Sequence, residues 1–243
     1  MNEQTTLPAD DAIANTRLSL TLAEKFLLLI HHPEKSRYLI SEQMRNVGLI
    51  GALLLDLAYE KKIVVESDKL SATADKTGLS ATHQEVLSRL LAYERPKKIK
   101  RSISKLSGKS SRYRHALLAS LEEKGLLRIE HKKFLFIPYL RTYLLKHETR
   151  DGLLREIRGV VFEDQNIQPE NAALLGLLEA CKMYKLICYE RSETKYCKAR
   201  LKELVQDDAI AKGVDKVIKA MQAALIASLA ATTAATTATT ASH

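Results

Sequence analysis

Nine basic residues crowd one short stretch: Arg95, Lys97, Lys98, Lys100, Arg101, Lys105, Lys109, Arg112 and Arg114. No Asp or Glu falls between Arg95 and Leu121. The chain has 243 residues and a formal net charge of +9, so this stretch carries all of the excess and the rest is balanced. A solvated helix face normally mixes signs, because opposite charges three or four residues apart stabilise it. A one-sign stretch repels itself and is tolerated where a partner supplies the counter-charge. The chemistry implied is the binding of phosphate groups, on nucleic acid or on an anionic membrane. The run Ser107-Gly108-Lys109-Ser110-Ser111 adds small hydroxyl residues at a helix start, where free N–H groups and the positive dipole end favour an anion. It is not a P-loop, because the upstream glycine and the preceding strand are missing.

Other chemistry finds little footing. Glu122 and Glu123 are adjacent on a helix and point apart, so they form no carboxylate pair. His31 and His32 sit at a helix end, where a charge–dipole role is expected rather than ligation. Cys181, Cys188 and Cys197 have a C-x6-C-x8-C spacing that matches no zinc ribbon or redox pair. They read as reduced thiols in a cytoplasmic protein. No Ser-His-Asp, metal or dinucleotide signature stands out, so neither a cofactor nor enzymatic activity is expected.

The elements that must position the basic stretch are mostly helical. Glycines number 9 and prolines 5, too few for the turns of a sandwich or barrel. Thr21 and Glu24 form a capping-box pattern ahead of the apolar run Phe26 to Ile30. A helix from Ser41 to Tyr59 is apolar nearly all round between Val47 and Leu57, which marks a buried central helix. Gly48 and Gly51 within it allow close approach of a neighbour. Ile63-Val64-Val65 reads as a strand. Thr82 and Glu85 suggest the cap of another helix, which Pro96 ends. A short amphipathic helix carries Ile99, Ile103 and Leu106. The next runs from Ser110 to Lys124, with Gly125 as its C′ residue.

A hairpin is then expected, with arms Leu126–Glu130 and Phe134–Tyr139 and with His131, Lys132 and Lys133 at the turn. The unalternating run Phe134-Leu135-Phe136-Ile137 should be buried, in this molecule or in something else. Helices are expected over 150–162, 169–191, 193–206 and 212–229. The polar segment 1–17 is expected to be mobile, and 231–243 is a low-complexity tail. The fold class is thus mainly α: a compact helical bundle around a buried central helix, with a protruding β-hairpin. No run before the tail reaches the roughly 20 apolar residues of a membrane span.

Two partners could use such a surface. Helix, Glu-Lys-Gly-Leu-Leu, hairpin is the outline of a winged helix, with Tyr113–Lys124 as recognition helix and Lys132 and Lys133 at the wing tip. Alternatively the hairpin dips Phe134, Leu135 and Phe136 into a bilayer while the basic face holds lipid phosphates.

Three motifs in order favour the second. Leu20-Thr21-Leu22-Ala23-Glu24-Lys25-Phe26-Leu27-Leu28-Leu29 comes first. Val47-Gly48-Leu49-Ile50-Gly51-Ala52-Leu53-Leu54-Leu55-Asp56-Leu57-Ala58 is second. Leu117-Leu118-Ala119-Ser120-Leu121-Glu122-Glu123-Lys124-Gly125-Leu126-Leu127 is third. Together they resemble the Golgi phosphoprotein 3 family, over residues 18–230. The resemblance implies a mostly helical domain with a hydrophobic hairpin. It also implies a non-enzymatic protein on the cytosolic face of a membrane, binding phosphoinositide-like headgroups and serving as an adaptor for membrane-protein clients. Of the family's pocket arginines, Arg114 matches one, while another falls on Ser111, beside Arg112. A third, between the two glycines, is replaced by Leu49 and Ile50, and the family's tryptophan is absent. A partly retained headgroup site follows: Arg114, Arg112, Lys109 and Ser111. Arg95, Lys97, Lys98, Lys100, Arg101 and Lys105 form the surrounding basic face. Lys132, Lys133, Phe134, Leu135 and Phe136 form a hairpin for membrane insertion or for homo-oligomer contacts. The expected partner is an anionic phospholipid membrane, not nucleic acid.

Overall fold

The computed structural model of the chain describes residues 19–163, 165, 169–206 and 223–228. The segment 1–17, the tail 231–243 and most of the expected 212–229 helix lie outside them. The described chain is mainly α with small antiparallel sheets.

The helix α1 (Leu22–Ile30) starts with the expected capping box: Thr21 Oγ1 accepts from the Glu24 backbone, and the Glu24 carboxylate accepts from Thr21 N–H. Ser41 caps α2 (Glu42–Tyr59), and every residue from Val47 to Leu55 is buried. The two glycines of α2 have different neighbours. A Cβ on Gly48 would lie about 2.5 Å from the Phe26 ring and 3.0 Å from the Cys181 sulfur, and one on Gly51 would strike Leu225. The glycines are notches that admit side chains from other helices.

Three short strands follow the order β1 (Ile63–Glu66), β2 (Lys69–Ala72), β3 (Lys97–Lys98), all antiparallel. Only β1 is legible in the sequence. The other two are too short to alternate and exist because tertiary packing aligns them. The helix α3 (Ala81–Leu91) is capped by Ser80, not by the expected Thr82, and Glu85 instead pairs with arginines. α4 (Ile99–Ser107) buries Ile99, Ile103 and Leu106 as its periodicity requires. α5 (Ser110–Glu123) ends at Gly125, with φ +68; the Gly125 and Leu126 N–H groups close the last turn on Glu122 and Leu121.

The hairpin is longer than expected. β4 (Leu127–Phe134) pairs with β5 (Ile137–Leu144) in full register, so His131, Lys132 and Lys133 lie within a strand and the turn is Leu135–Phe136. The sequence reading placed polar residues at the turn because solvent favours them there; the register places apolar ones. Beyond it lie α6 (His147–Phe162), α7 (Pro169–Ala180), α8 (Tyr184–Ile187) and α9 (Glu193–Gln206). The single helix expected over 169–191 breaks after Ala180. Lys182 takes φ +53, while the Lys182 and Met183 N–H groups bond Glu179 and Leu178. A lysine in a left-handed cap where glycine is usual gives no sequence signal. Helices α1, α3, α4, α5 and α7 each pack against α2.

The start of α1 is the junction of the fold. Asp56 of α2 accepts from the Leu22 and Ala23 backbone N–H groups at 2.7 and 3.1 Å. Its Oδ2 also takes His83 Nε2 at 3.0 Å, and His83 Nδ1 then accepts from the Ser80 hydroxyl at 2.7 Å. Glu24, buried, takes the Lys124 ammonium at 2.7 Å and the Ser120 hydroxyl at 2.8 Å. Two carboxylates thus occupy the positive end of α1 and tie it to α2, α3 and α5. Ser80, His83 and Asp56 form a hydrogen-bonded line that the sequence reading did not find. Its members are committed to caps, which gives it a structural role.

At the other end of α1, His31 is buried. Its Nδ1 bonds the His32 carbonyl at 2.7 Å, and its Nε2 lies 2.8 Å from the Thr142 hydroxyl on β5. Burial lowers its pKa below 6.5, and Arg150 nearby adds to this. The charge–dipole expectation is therefore corrected: His31 is a neutral pin between α1 and the hairpin base.

Two outcomes follow. Asp56→Ala leaves backbone and imidazole N–H groups unpaired, and should lower the urea-unfolding free energy by about 2–4 kcal/mol, with Asp56→Asn closer to wild type. His31 has a depressed folded-state pKa, so its contribution is complete above the unfolded value and is lost as pH falls. The urea midpoint should drop from about pH 7.5 to about pH 5.5, and the drop should be smaller in His31→Gln.

Candidate functional site

Between α5 and the hairpin lies a groove of about 1130 Å³. One wall is the outer face of α5, with Ser111, Arg114, His115, Leu118 and Glu122. The other is the hairpin, with Ile129, His131, Lys132, Lys133, Tyr139 and Leu140. The loop before α2 closes one end with Arg37, Tyr38 and Ile40, and α2 itself adds Arg45.

Arg45 is the residue that sequence reasoning missed. Its guanidinium stacks over the Tyr38 ring at 4.6 Å and meets Glu42 at 3.4 Å. Its side chain is only 12% exposed, and its buried Nε has no hydrogen-bond partner. Burial, then the charge of Arg114, holds it below its ordinary pKa. Both guanidiniums line the groove, where the charge of Arg114 opposes that of Arg45. Arg114 makes only weak contacts, to Ser111 Oγ at 3.3 Å and His115 Nε2 at 3.4 Å. The replacement of the arginine between the glycines by Leu49 and Ile50 has a physical counterpart. Leu49 and Ile50 are fully buried, whereas Arg45, one turn earlier, is at the groove. The signal was available: a lone arginine three residues ahead of Gly48, at the mouth of an apolar helix.

The expected headgroup set divides in space. Arg114 and Ser111 line the groove. Arg112 points to α3, where its Nε lies 3.0 Å from Glu85, which also holds Arg89. Lys109 is exposed at the start of α5, outside the lining but next to Ser111. The N-terminus of α5 has no side-chain cap and its first turn has no acid, so among the described residues no side chain caps its positive end. Arg95, Lys97, Lys98, Lys100, Arg101 and Lys105 lie on β3, α4 and the turn before them, and none forms an ion pair among the described residues; Lys105 stands over the Tyr93 ring at 5.0 Å. The basic stretch is thus one run in sequence and three places in space.

Lys132 and Lys133 line the groove rather than a tip. The tip is Phe134, Leu135, Phe136 and Ile137, exposed by 66%, 75%, 97% and 67%. Leu135 and Phe136 both take positive φ, 45° and 69°. A two-residue hairpin turn of this kind favours Asn-Gly; large side chains there cost roughly 1–2 kcal/mol each. Folding does not select Leu-Phe at this turn. Lys132 and Lys133, expected at the wing tip in the winged-helix reading, stand back from it, because the tip itself is Leu135–Phe136.

Among the described residues no group of His, Cys, Asp and Glu could hold a metal, and no helix is long and apolar enough to cross a membrane. All three thiols are free.

These features define a mainly α protein in which an apolar-tipped hairpin stands beside a basic groove. The chain belongs to the Golgi phosphoprotein 3 (GPP34) family, whose model matches residues 22–221. No curated protein compared with it matches.

His115 offers a test of the groove. Burial and the adjacent Arg114 lower its pKa below 6.5. An anion between Arg114 and His115 removes that repulsion and raises the value, so the bound state holds more proton. Sulfate, whose own charge is constant here, should bind more tightly as pH falls from about 7.5 to about 5.5. Calorimetric titration of His115→Ala should show a weaker pH dependence.

Proposed function

We propose that this protein is a peripheral membrane protein that takes anionic lipid headgroups into the groove and inserts its hairpin tip into the bilayer. The observation that carries this reading is the strained, fully apolar turn beside a groove with two under-neutralised arginines. Water is a poor environment for the tip, and burying a Phe or Leu side chain is worth about 1.5–3 kcal/mol. The hairpin lysines Lys132 and Lys133 line the groove, close in the chain to the tip, where they can meet headgroup phosphates. Arg45 and Arg114 supply planar donors suited to phosphate. The basic residues of α4 add attraction worth about 1 kcal/mol each near an acidic surface.

The proposal includes what the family resemblance implies: a cytosolic-face membrane location, an adaptor role for membrane-protein clients, contacts between copies through the hairpin, and binding rather than catalysis. The headgroup class is a phosphate-bearing lipid. With the cation contributed by Arg45 instead of a residue between the glycines, selection of one phosphoinositide is not part of the proposal. The lipid reading is preferred to DNA because the face a recognition helix would present forms the groove wall opposite the hairpin.

The discriminating experiment is liposome co-sedimentation with tip and groove variants. Leu135→Asn with Phe136→Gly installs the preferred turn, so thermal stability should hold or rise while binding to anionic vesicles falls by tenfold or more, about 1.4 kcal/mol per tenfold. Arg114→Ala and Arg45→Ala should each weaken binding by about fivefold, and Arg112→Ala should do less. Binding should weaken with salt. Equal binding to neutral vesicles, or binding to duplex DNA without vesicle binding, sinks the proposal.

A further inference from the structure

We propose that Cys188 and Cys197 form a redox-modification site: a hydroperoxide oxidises Cys188, and Cys197 closes it into an intrachain disulfide that fastens α8 to α9. Neither cysteine lines the groove, so the inference stands apart from the headgroup reading.

The spacing of the two cysteines in the chain matches no redox motif, and it is the fold that brings them together. α8 packs against both α6 and α9. The organising residue is Arg158 of α6. Its guanidinium lies 4.6 Å from the Phe162 ring and 3.7 Å from the Tyr189 ring. It donates to the Ile187 carbonyl at 2.6 Å and to the two Glu193 carboxylate oxygens at 3.1 and 3.0 Å. Glu193 in turn accepts from the Tyr189 and Glu190 backbone N–H groups at 2.7 and 3.3 Å. The backbone on both sides of Cys188 is therefore tied to the first turn of α9. Cys197 stands one turn after Glu193 on the same helix, so the two share a face. The Cys188 and Cys197 thiols are hydrogen-bonded to each other.

The surroundings assign the two sulfurs different roles. Cys188 is partly exposed, whereas Cys197 is fully buried. Burial, then the neighbouring Cys188 thiol, pushes the Cys197 thiol up to about 12, so Cys197 stays protonated until it is called on. Peroxide therefore meets Cys188 first. The Cys188 thiolate attacks one peroxide oxygen, the O–O bond breaks, and the other oxygen leaves as hydroxide; Cys188 is then a sulfenic acid. The Cys197 sulfur attacks that sulfur and the S–O bond breaks. The departing hydroxide takes the Cys197 proton and leaves as water. The two thiols together give up two electrons and two protons, and the peroxide is reduced to water. An external dithiol reverses the bond by exchange. In a reducing compartment such disulfides are transient and redox-sensing. Cys181 is outside the site: its sulfur packs beside Gly48 of α2, and burial pushes it up to about 12 as well. It serves as an internal control.

The test treats the full chain with hydrogen peroxide, alkylates the remaining thiols after unfolding, and locates the products by peptide mass spectrometry. The native chain should lose two of its three thiols, with Cys188 joined to Cys197 and Cys181 alkylated. Dithiothreitol should restore both. The oxidised chain should melt higher than the reduced one, because the bridge constrains the unfolded chain. Cys197→Ser should hold a sulfenic acid at Cys188 that dimedone captures. In Cys188→Ser, Cys197 should react at least about tenfold more slowly than Cys188 does in the native chain. Mapping of the native chain reads the proposal even if a variant fails to fold. A bridge to Cys181, bridges only between chains, or overoxidation of Cys188 without a bridge overturns it. So does the absence of thiol loss. An oxidised form that melts below the reduced one overturns it too, because the native positions then do not accept the bond.

Discussion

The geometry of this protein hangs on the first turn of α1. Its N–H groups point at two carboxylates that come from different places: Asp56 near the end of α2 and Glu24 of α1 itself. A helix start with unsatisfied donors is costly when buried, so both acids are held in place. Each then reaches further, Asp56 to His83 and Glu24 to Ser120 and Lys124. The consequence is a set angle between α2 and α5. That angle brings Arg45 and Arg114 to one groove, though 69 residues separate them in the chain.

The groove illustrates how charge is managed. Sequence focuses nine cations in one run, but folding distributes them. Arg112 shares Glu85 with Arg89, Arg114 is left weakly paired, and the α4 lysines face outward. What persists is a short-range site of two guanidiniums inside a longer-range basic field. In the proposed function the first gives geometry to an anion, and the second gives attraction that salt weakens. The hairpin adds an apolar element whose turn is strained, a departure from local preference of the kind that clusters where function rather than folding selects the residue.

Much of the fold was legible. The capping box at Thr21, the all-apolar stretch of α2, the periodicity of α4 and the glycine after α5 each reflect local physics, and each element formed where that physics put it. The misses have local causes too. Thr82 yielded to Ser80 because that hydroxyl serves His83 as well as the helix end. Lys182 ends α7 in a conformation that lysine does not advertise. The β2 and β3 strands carry no pattern of their own.

By itself the sequence determined the helical class, the family motifs, the excess of positive charge and the existence of a hairpin, because each depends on residues close together in the chain. The tertiary structure alone decided which cations share a site. It turned Arg112 away, brought Arg45 in, moved Lys132 and Lys133 from turn to groove and placed Leu135 and Phe136 at the apex. Strand register and helix crossing set those outcomes, and both arise from contacts between distant residues.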